Sequence, residues 1–125
     1  MKNKSSYTAV TQVTQTEDQL QAQCYQWAFN TYPTIRGLLF SIPNGGHRNQ
    51  IEAMKMKATG LTPGIPDMVL ISPIIAFEFK TAIGKLSPAQ EKIHSRWETA
   101  GVRVEIIRDF ETFKKIICSC FITTN

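Results

Sequence analysis

From Pro66 to Lys80 the chain reads Pro-Asp-Met-Val-Leu-Ile-Ser-Pro-Ile-Ile-Ala-Phe-Glu-Phe-Lys. Two apolar runs of strand length, near 67–71 and 74–80, meet at the turn dipeptide Ser72-Pro73, which specifies a β-hairpin. Placing the turn there also sets the register. Asp67 falls opposite Glu78, and directly opposed side chains hold their Cβ atoms only ~4.5–5.5 Å apart. Strand alternation puts Glu78 and Lys80 on one face and Phe77 and Phe79 on the other. The hairpin is therefore expected to gather Asp67, Glu78 and Lys80 at one polar, solvent-facing spot, anchored from behind by two aromatic rings.

The rest of the chain supplies elements around this hairpin. Thr16-Glu17-Asp18-Gln19 has the form of a capping box, with acidic residues at the positive end of a helix dipole. Leu20, Cys24, Trp27 and Ala28 follow at helical spacing until Pro33 stops them, and Glu17 begins the same stripe. Leu38 to Ile42 reads as a short strand and Pro43-Asn44-Gly45-Gly46 as a loop. A helix from about Arg48 to Thr59 is expected to turn Ile51, Met54 and Ala58 inward, with Gly60 as its stop. Ser87-Pro88 opens a third helix with Gln90 three residues after the cap and Ile93, Trp97 and Ala100 facing inward. Val102 to Ile107 alternates as a strand, and Asp109 caps a last helix carrying Phe110, Phe113 and Ile117. The order is α-β-α-β-β-α-β-α. Residues 1–15 are polar and aperiodic and read as a flexible arm, leaving 16–125 as one folded domain.

Composition narrows the class. The chain has 125 residues, 42% hydrophobic and 19% charged, which suits a globular protein that needs no staple of metal or disulfide. Its three cysteines, Cys24, Cys118 and Cys120, form neither a CxxC pair nor a zinc pattern, and an odd count argues against a secreted disulfide framework. No run approaches the ~20 apolar residues of a membrane span, so the chain reads as cytoplasmic and without a membrane partner. A net charge of +4 suits a polyanionic partner but selects none by itself.

The chemistry lies in the hairpin. Two carboxylates so close repel and would hold a proton between them unless a cation intervened. A hard divalent ion removes that cost, and Mg²⁺ typically takes one or two carboxylates plus waters and phosphate oxygens. An ammonium beside it can orient an attacking water or steady the charge of a phosphorane-like transition state. That is a phosphodiester hydrolase in outline. The plainer alternative, an exposed salt-bridged hairpin, explains Glu-Phe-Lys alone. It does not explain Pro66-Asp67 at hairpin distance or Glu17 at the same edge of the core.

Five blocks in order now resemble the PD-(D/E)xK nuclease superfamily and, within it, the VRR-NUC domain. They are Glu17-x-x-Leu20-Gln21, Ile42-Pro43-Asn44-Gly45-Gly46-x-Arg48, Gly60-x-x-x-Gly64-Ile65-Pro66-Asp67, Phe77-Glu78-Phe79-Lys80, and Gly84-Lys85-Leu86-Ser87-Pro88-x-Gln90. The likeness spans residues 16 to 112 and is to free-standing members of the phage or bacterial kind. It implies an α/β, restriction-endonuclease-like core with a mixed β-sheet flanked by helices. It implies Asp67, Glu78 and the Phe79 carbonyl as ligands of Mg²⁺ or Mn²⁺, Lys80 as catalytic, and Glu17 as a further carboxylate, with Asp18 as the neighbouring choice. Gln90 would contact the site, or only complete the Ser87 cap. Asn44 and Gly45 form a plain turn, or present bare backbone to a phosphate together with Arg48 and Lys85. His47 and His94 read as solvated or capping, and Trp27, Trp97 and Phe113 as core.

The expected function is a metal-dependent DNA endonuclease with no small-molecule cofactor. By the same resemblance it would be a homodimer selective for branched DNA such as four-way junctions. Its rivals are a DNA-binding module that keeps the fold without catalysis and a restriction-type enzyme that reads a base sequence.

Overall fold

The computed structural model describes residues 15–43 and 49–121. The expected N-terminal arm (Gln15 apart), Asn44, Gly45, Gly46, His47, Arg48 and the tail from Ile122 lie outside the described residues. Along the chain run α1 (Glu17–Thr31), a 3-10 turn (Pro33–Ile35), β1 (Leu39–Ser41), α2 (Gln50–Ala58), β2 (Met68–Ile71), β3 (Ile74–Phe79), α3 (Pro88–Thr99), β4 (Arg103–Ile107) and α4 (Phe110–Phe121). The strands form one mixed sheet in the order β1-β2-β3-β4, flanked by helices. Pairs β1/β2 and β2/β3 are antiparallel. The step from β3 to β4 passes through α3, the long crossover a parallel pair needs. The α/β class and the element order are those expected, with the 3-10 turn added after Pro33.

The chain divides into two compact units, each visited more than once by the backbone. The first comprises 1–36, 79–85 and 106–125. Here Thr16 caps α1 through a complete capping box: its hydroxyl accepts from the Gln19 amide (3.1 Å), and the Gln19 side chain accepts from the Thr16 amide (2.9 Å). Leu20, Cys24 and Ala28 of α1 are buried, as are Phe113, Ile116 and Ile117 of α4 and Phe79. Trp27 meets Phe110 and Phe113 edge-on, and Phe79 lies 6.1 Å from Phe113. These rings are packing groups, as their helical spacing indicated. Burial, with a smaller push from the Asp109 charge, raises the Cys24 thiol to about 12.

The second unit comprises 37–78 and 86–105. Its core is Leu39 of β1, Met68, Val69 and Leu70 of β2, and Ile75, Ala76 and Phe77 of β3. One expectation fails here. No residue of α2 is buried, and Ile51 and Met54, expected to face inward, are 67% and 68% exposed. Ala53 and Met56 are the half-covered positions instead. A nine-residue helix with apolar residues on more than one side has no unique inward stripe, so spacing alone chose the wrong face. In α3, likewise, His94 is the buried residue while Ala100 is exposed.

Candidate active site

The hairpin has the register the turn dictates: Met68 pairs with Phe77, Val69 with Ala76, Leu70 with Ile75 and Ile71 with Ile74. The ladder ends at Met68 and Phe77; continued one step, the same register would set Asp67, just before β2, against Glu78. Asp67 is half-buried, follows the buried Pro66, and accepts from the Ile42 amide through its carbonyl at 2.8 Å. The block Ile42-Pro43 is thereby tied to the residue after Pro66.

Glu78 is not at a solvent-facing spot. It is 1% exposed, and Lys80 8%. The alternation argument assumed one wet face, whereas β3 is an inner strand whose residues 75–79 are all buried. A carboxylate in such a place needs donors, since desolvation without hydrogen bonds is costly. Both come from α3. Gln90 Nε2 donates to Oε2 at 3.0 Å, and His94 Nε2 lies 3.1 Å from Oε1. Positions 90 and 94 are one helical turn apart and share a face.

Gln90 also completes the cap, because its Oε1 accepts from the Ser87 amide at 2.9 Å and its own amide donates to the Ser87 hydroxyl oxygen at 3.1 Å. The two readings of Gln90 are compatible, since a side-chain amide has separate donor and acceptor ends. His94 is the residue that sequence reasoning missed. Expected to be solvated or capping, it is 5% exposed and bonded to Glu78. The available signal was its four-residue spacing from Gln90.

The loop before Asp67 is fixed against the same helix. Gly64 has φ +90°, and a Cβ there would collide with the backbone of Ala89 and Gln90 in the first turn of α3. Only a residue without a Cβ allows that approach. The segment that delivers Asp67 and the helix that holds Glu78 are thus in direct backbone contact. On another flank of α3 lies an open groove of about 450 Å³, lined by Thr62, Pro63, Ala89, Lys92, Ile93 and Arg96. Its two cations were not singled out by spacing or motif.

In the first unit, Lys80 follows β3 directly, and its amide donates to the Ile107 carbonyl at 2.9 Å. The turn after it is clamped by Arg108, which donates to the carbonyls of Thr81 (2.8 Å) and Gly84 (2.7 Å). Glu17 reaches this turn from α1, its Oε2 3.6 Å from where a Cβ on Gly84 would stand. Glu17 is half-buried and Asp18 exposed, while Lys85 is exposed. Asn44, Gly45 and Arg48 lie outside the described residues.

Among the described residues no group of three or more His, Cys, Asp or Glu side chains is disposed to hold a metal ion. Asp67 and Glu78 offer carboxylate oxygens, the donor chemistry that suits a hard cation such as Mg²⁺, which keeps several waters and needs few protein ligands. Among the described residues no thiolate- or imidazole-rich cluster of the kind softer metals use is present.

A family model, the VRR-NUC domain, matches residues 1–109. The chain belongs to the VRR-NUC family. The match takes in Glu17, Asp67, Glu78, Lys80 and Gln90. A solved structure described as a VRR_NUC domain protein superposes with a TM-score of 0.70 at 18% identity, covering 85% of this chain and 88% of that one. At that identity the likeness speaks for the fold, and it is the VRR-NUC fold. No curated protein matches the sequence. No helix among the described residues is long and apolar enough to cross a membrane.

Proposed function

We propose that this VRR-NUC domain is a Mg²⁺- or Mn²⁺-dependent endonuclease that hydrolyses DNA phosphodiesters. Asp67 and Glu78 would hold the metal with the Phe79 carbonyl, Lys80 would be the catalytic ammonium, and Glu17 would add a carboxylate from α1. The observation that carries this reading is Glu78: a carboxylate 1% exposed, held by Gln90 and His94, and one step beyond the Met68–Phe77 pair whose register continues to Asp67. Burying an ionised carboxylate costs on the order of several kcal/mol, and an apolar residue would be the more stable occupant of that strand position. A buried acid beside a second acid is the arrangement that cation-assisted chemistry uses.

When bound, the metal would supply Lewis-acid polarisation of the phosphate and a more acidic water. The chain's own residues do the rest. Gln90 and His94 keep Glu78 oriented, the Gly64 loop keeps Asp67 opposite it, and Lys80 offers positive charge to the phosphate oxygens as negative charge builds on them. Arg108 holds the turn that follows Lys80. Lys85, Lys92 and Arg96 are exposed cations suited to phosphate contacts, which position DNA without reading its bases.

Selectivity for branched DNA and assembly as a homodimer belong to the same proposal. Two copies would double a small basic surface and supply two sites. Phe121 of α4 already stacks on Tyr32 of its own chain at 5.2 Å and so offers a second copy little free surface. The exposed Ile51 and Met54 of α2 offer a second copy the better apolar contact.

The test is cleavage of four-way junction and matched linear duplex by the purified chain, with light scattering alongside. Cleavage should need Mg²⁺ or Mn²⁺, stop in EDTA, and be abolished in Asp67→Asn, Glu78→Gln and Lys80→Ala proteins that remain folded. Undiminished activity in EDTA would refute the metal-dependent reading. Equal cutting of both substrates by a monomer would leave a general nuclease.

A further inference from the structure

We infer that His94 is a positioning residue: it sets the plane of the Glu78 carboxylate and thereby the metal affinity and turnover of the site. The inference rests on the proposed role of Glu78 as a metal ligand and adds a residue that lies beyond the five blocks carrying the resemblance, the last of which ends at Gln90.

The geometry is that of a two-point clamp. The Glu78 carboxylate sits at the end of three rotatable bonds, and one donor would leave it free to swing about that contact. Gln90 takes Oε2 at 3.0 Å and His94 takes Oε1 at 3.1 Å. Each oxygen is held separately, so tilt and twist are both fixed. The two donors stand one turn apart on α3, a twelve-residue helix with a capping box and Pro at its first position. The first turn of that helix also receives the Gly64 backbone, four residues before Pro66-Asp67 gives way to β2. One rigid element thus references both carboxylates of the opposed pair.

A carboxylate has roughly four acceptor positions, so hydrogen bonds from Gln90 and His94 are compatible with its holding a cation. Ligand geometry must be held to within about 0.5 Å for full function, and removing an outer partner of a metal ligand typically costs about 10–100-fold in affinity or activity. His94 is nearly as buried as Glu78. It has no route to bound DNA, and its loss should act on the metal and on kcat while leaving KM for DNA in place.

The experiment uses the full chain. Mn²⁺ is titrated by EPR without DNA, and kcat and KM are measured on duplex DNA, for wild type, Glu78→Gln, His94→Leu, His94→Gln and His94→Asn. Leucine keeps volume without a donor. Glutamine restores an N–H near the Nε2 position, and asparagine is too short to reach Oε1. The expected result is a loss of about 10-fold or more in Mn²⁺ affinity for His94→Leu and His94→Asn, with kcat reduced and KM within about 2-fold. His94→Gln should recover most of both. If Glu78→Gln binds Mn²⁺ as wild type does, the metal reading fails and this inference falls with it. If Glu78→Gln loses Mn²⁺ while His94→Leu binds and turns over normally, only the role of His94 is overturned. Should His94→Leu not fold, equal Mn²⁺ affinity in His94→Asn and His94→Gln overturns it instead.

Discussion

Gly64→Ala would meet two penalties that the structure allows to be separated. The first is conformational. Gly64 has φ +90°, where an L-residue with a Cβ is strained by about 1–2 kcal/mol. The second is steric: the new methyl would strike the Ala89 carbonyl group, which is helix backbone and cannot rotate aside. Overpacking of that kind typically costs about 1–3 kcal/mol, so the sum is about 2–5 kcal/mol. Gly37 is the control. It has φ +84°, nearly the same strain, yet nothing lies within 4 Å of a Cβ built on it. Gly37→Ala should therefore cost only the conformational part, about 1–2 kcal/mol. Urea unfolding at constant m-value reads both numbers, with the Gly64 midpoint falling well below that of Gly37→Ala. Cleavage measured below the transition adds a second readout. The loop must lift off α3 to make room, carrying Asp67 with it, so Gly64→Ala should lose more activity than its unfolded fraction explains, and Gly37→Ala should not. Equal midpoints and equal activities would show that the loop is not seated on the helix, and that Asp67 is positioned by something else.

Three further outcomes follow from the same contacts. Asp109 accepts from the Thr112 amide at 2.8 Å, and that bond holds its carboxyl below the usual carboxylate range. The cap contribution is fully present above the unfolded-state pKa and lost as pH falls through the lower folded-state one. Asp109→Ala should cost about 1 kcal/mol at neutral pH and less in acid, read by thermal melts, while Asp109→Asn should keep the cap without that pH dependence. Cys24, fully buried with its thiol raised to about 12, should resist a thiol reagent in the native protein at pH 8 while the half-buried Cys120 is modified, as mass spectrometry of the labelled peptides would show. Removing Lys92 and Arg96 together should weaken DNA binding and reduce its salt slope by about 2 if both meet phosphates, with little change in kcat at saturating DNA. An unchanged slope would exclude the groove from the DNA path.

The residues that were legible in sequence are those whose neighbours are local. Thr16 and Ser87 announced their helices because a capping box closes within four residues. Ser72-Pro73 set the hairpin register, from Ile71–Ile74 out to Met68–Phe77, because a turn dictates which residues of its own two strands can pair. The Gly64-Ile65-Pro66-Asp67 block carried a signal whose cause is now visible in the approach of Gly64 to Ala89. Ile51 and Met54 misled because a short helix with little apolar asymmetry does not say which side it will bury.

What the chain alone determined is the order of its elements, the pairing of its hairpin, and the set of acids and amines that reach the strand ends. Tertiary structure decided the environment of those groups. β3 became an inner strand, so Glu78 and Lys80 are buried where alternation had them wet. Gln90 and His94 became the partners of Glu78, since the seating of α3 brings residues twelve and sixteen positions away to its two oxygens. Periodicity reports which residues share a face of one element. It carries no information on which face of another element that side will meet, because that depends on packing the whole sheet and its helices at once, and a buried carboxylate takes whatever donors the packing places within reach.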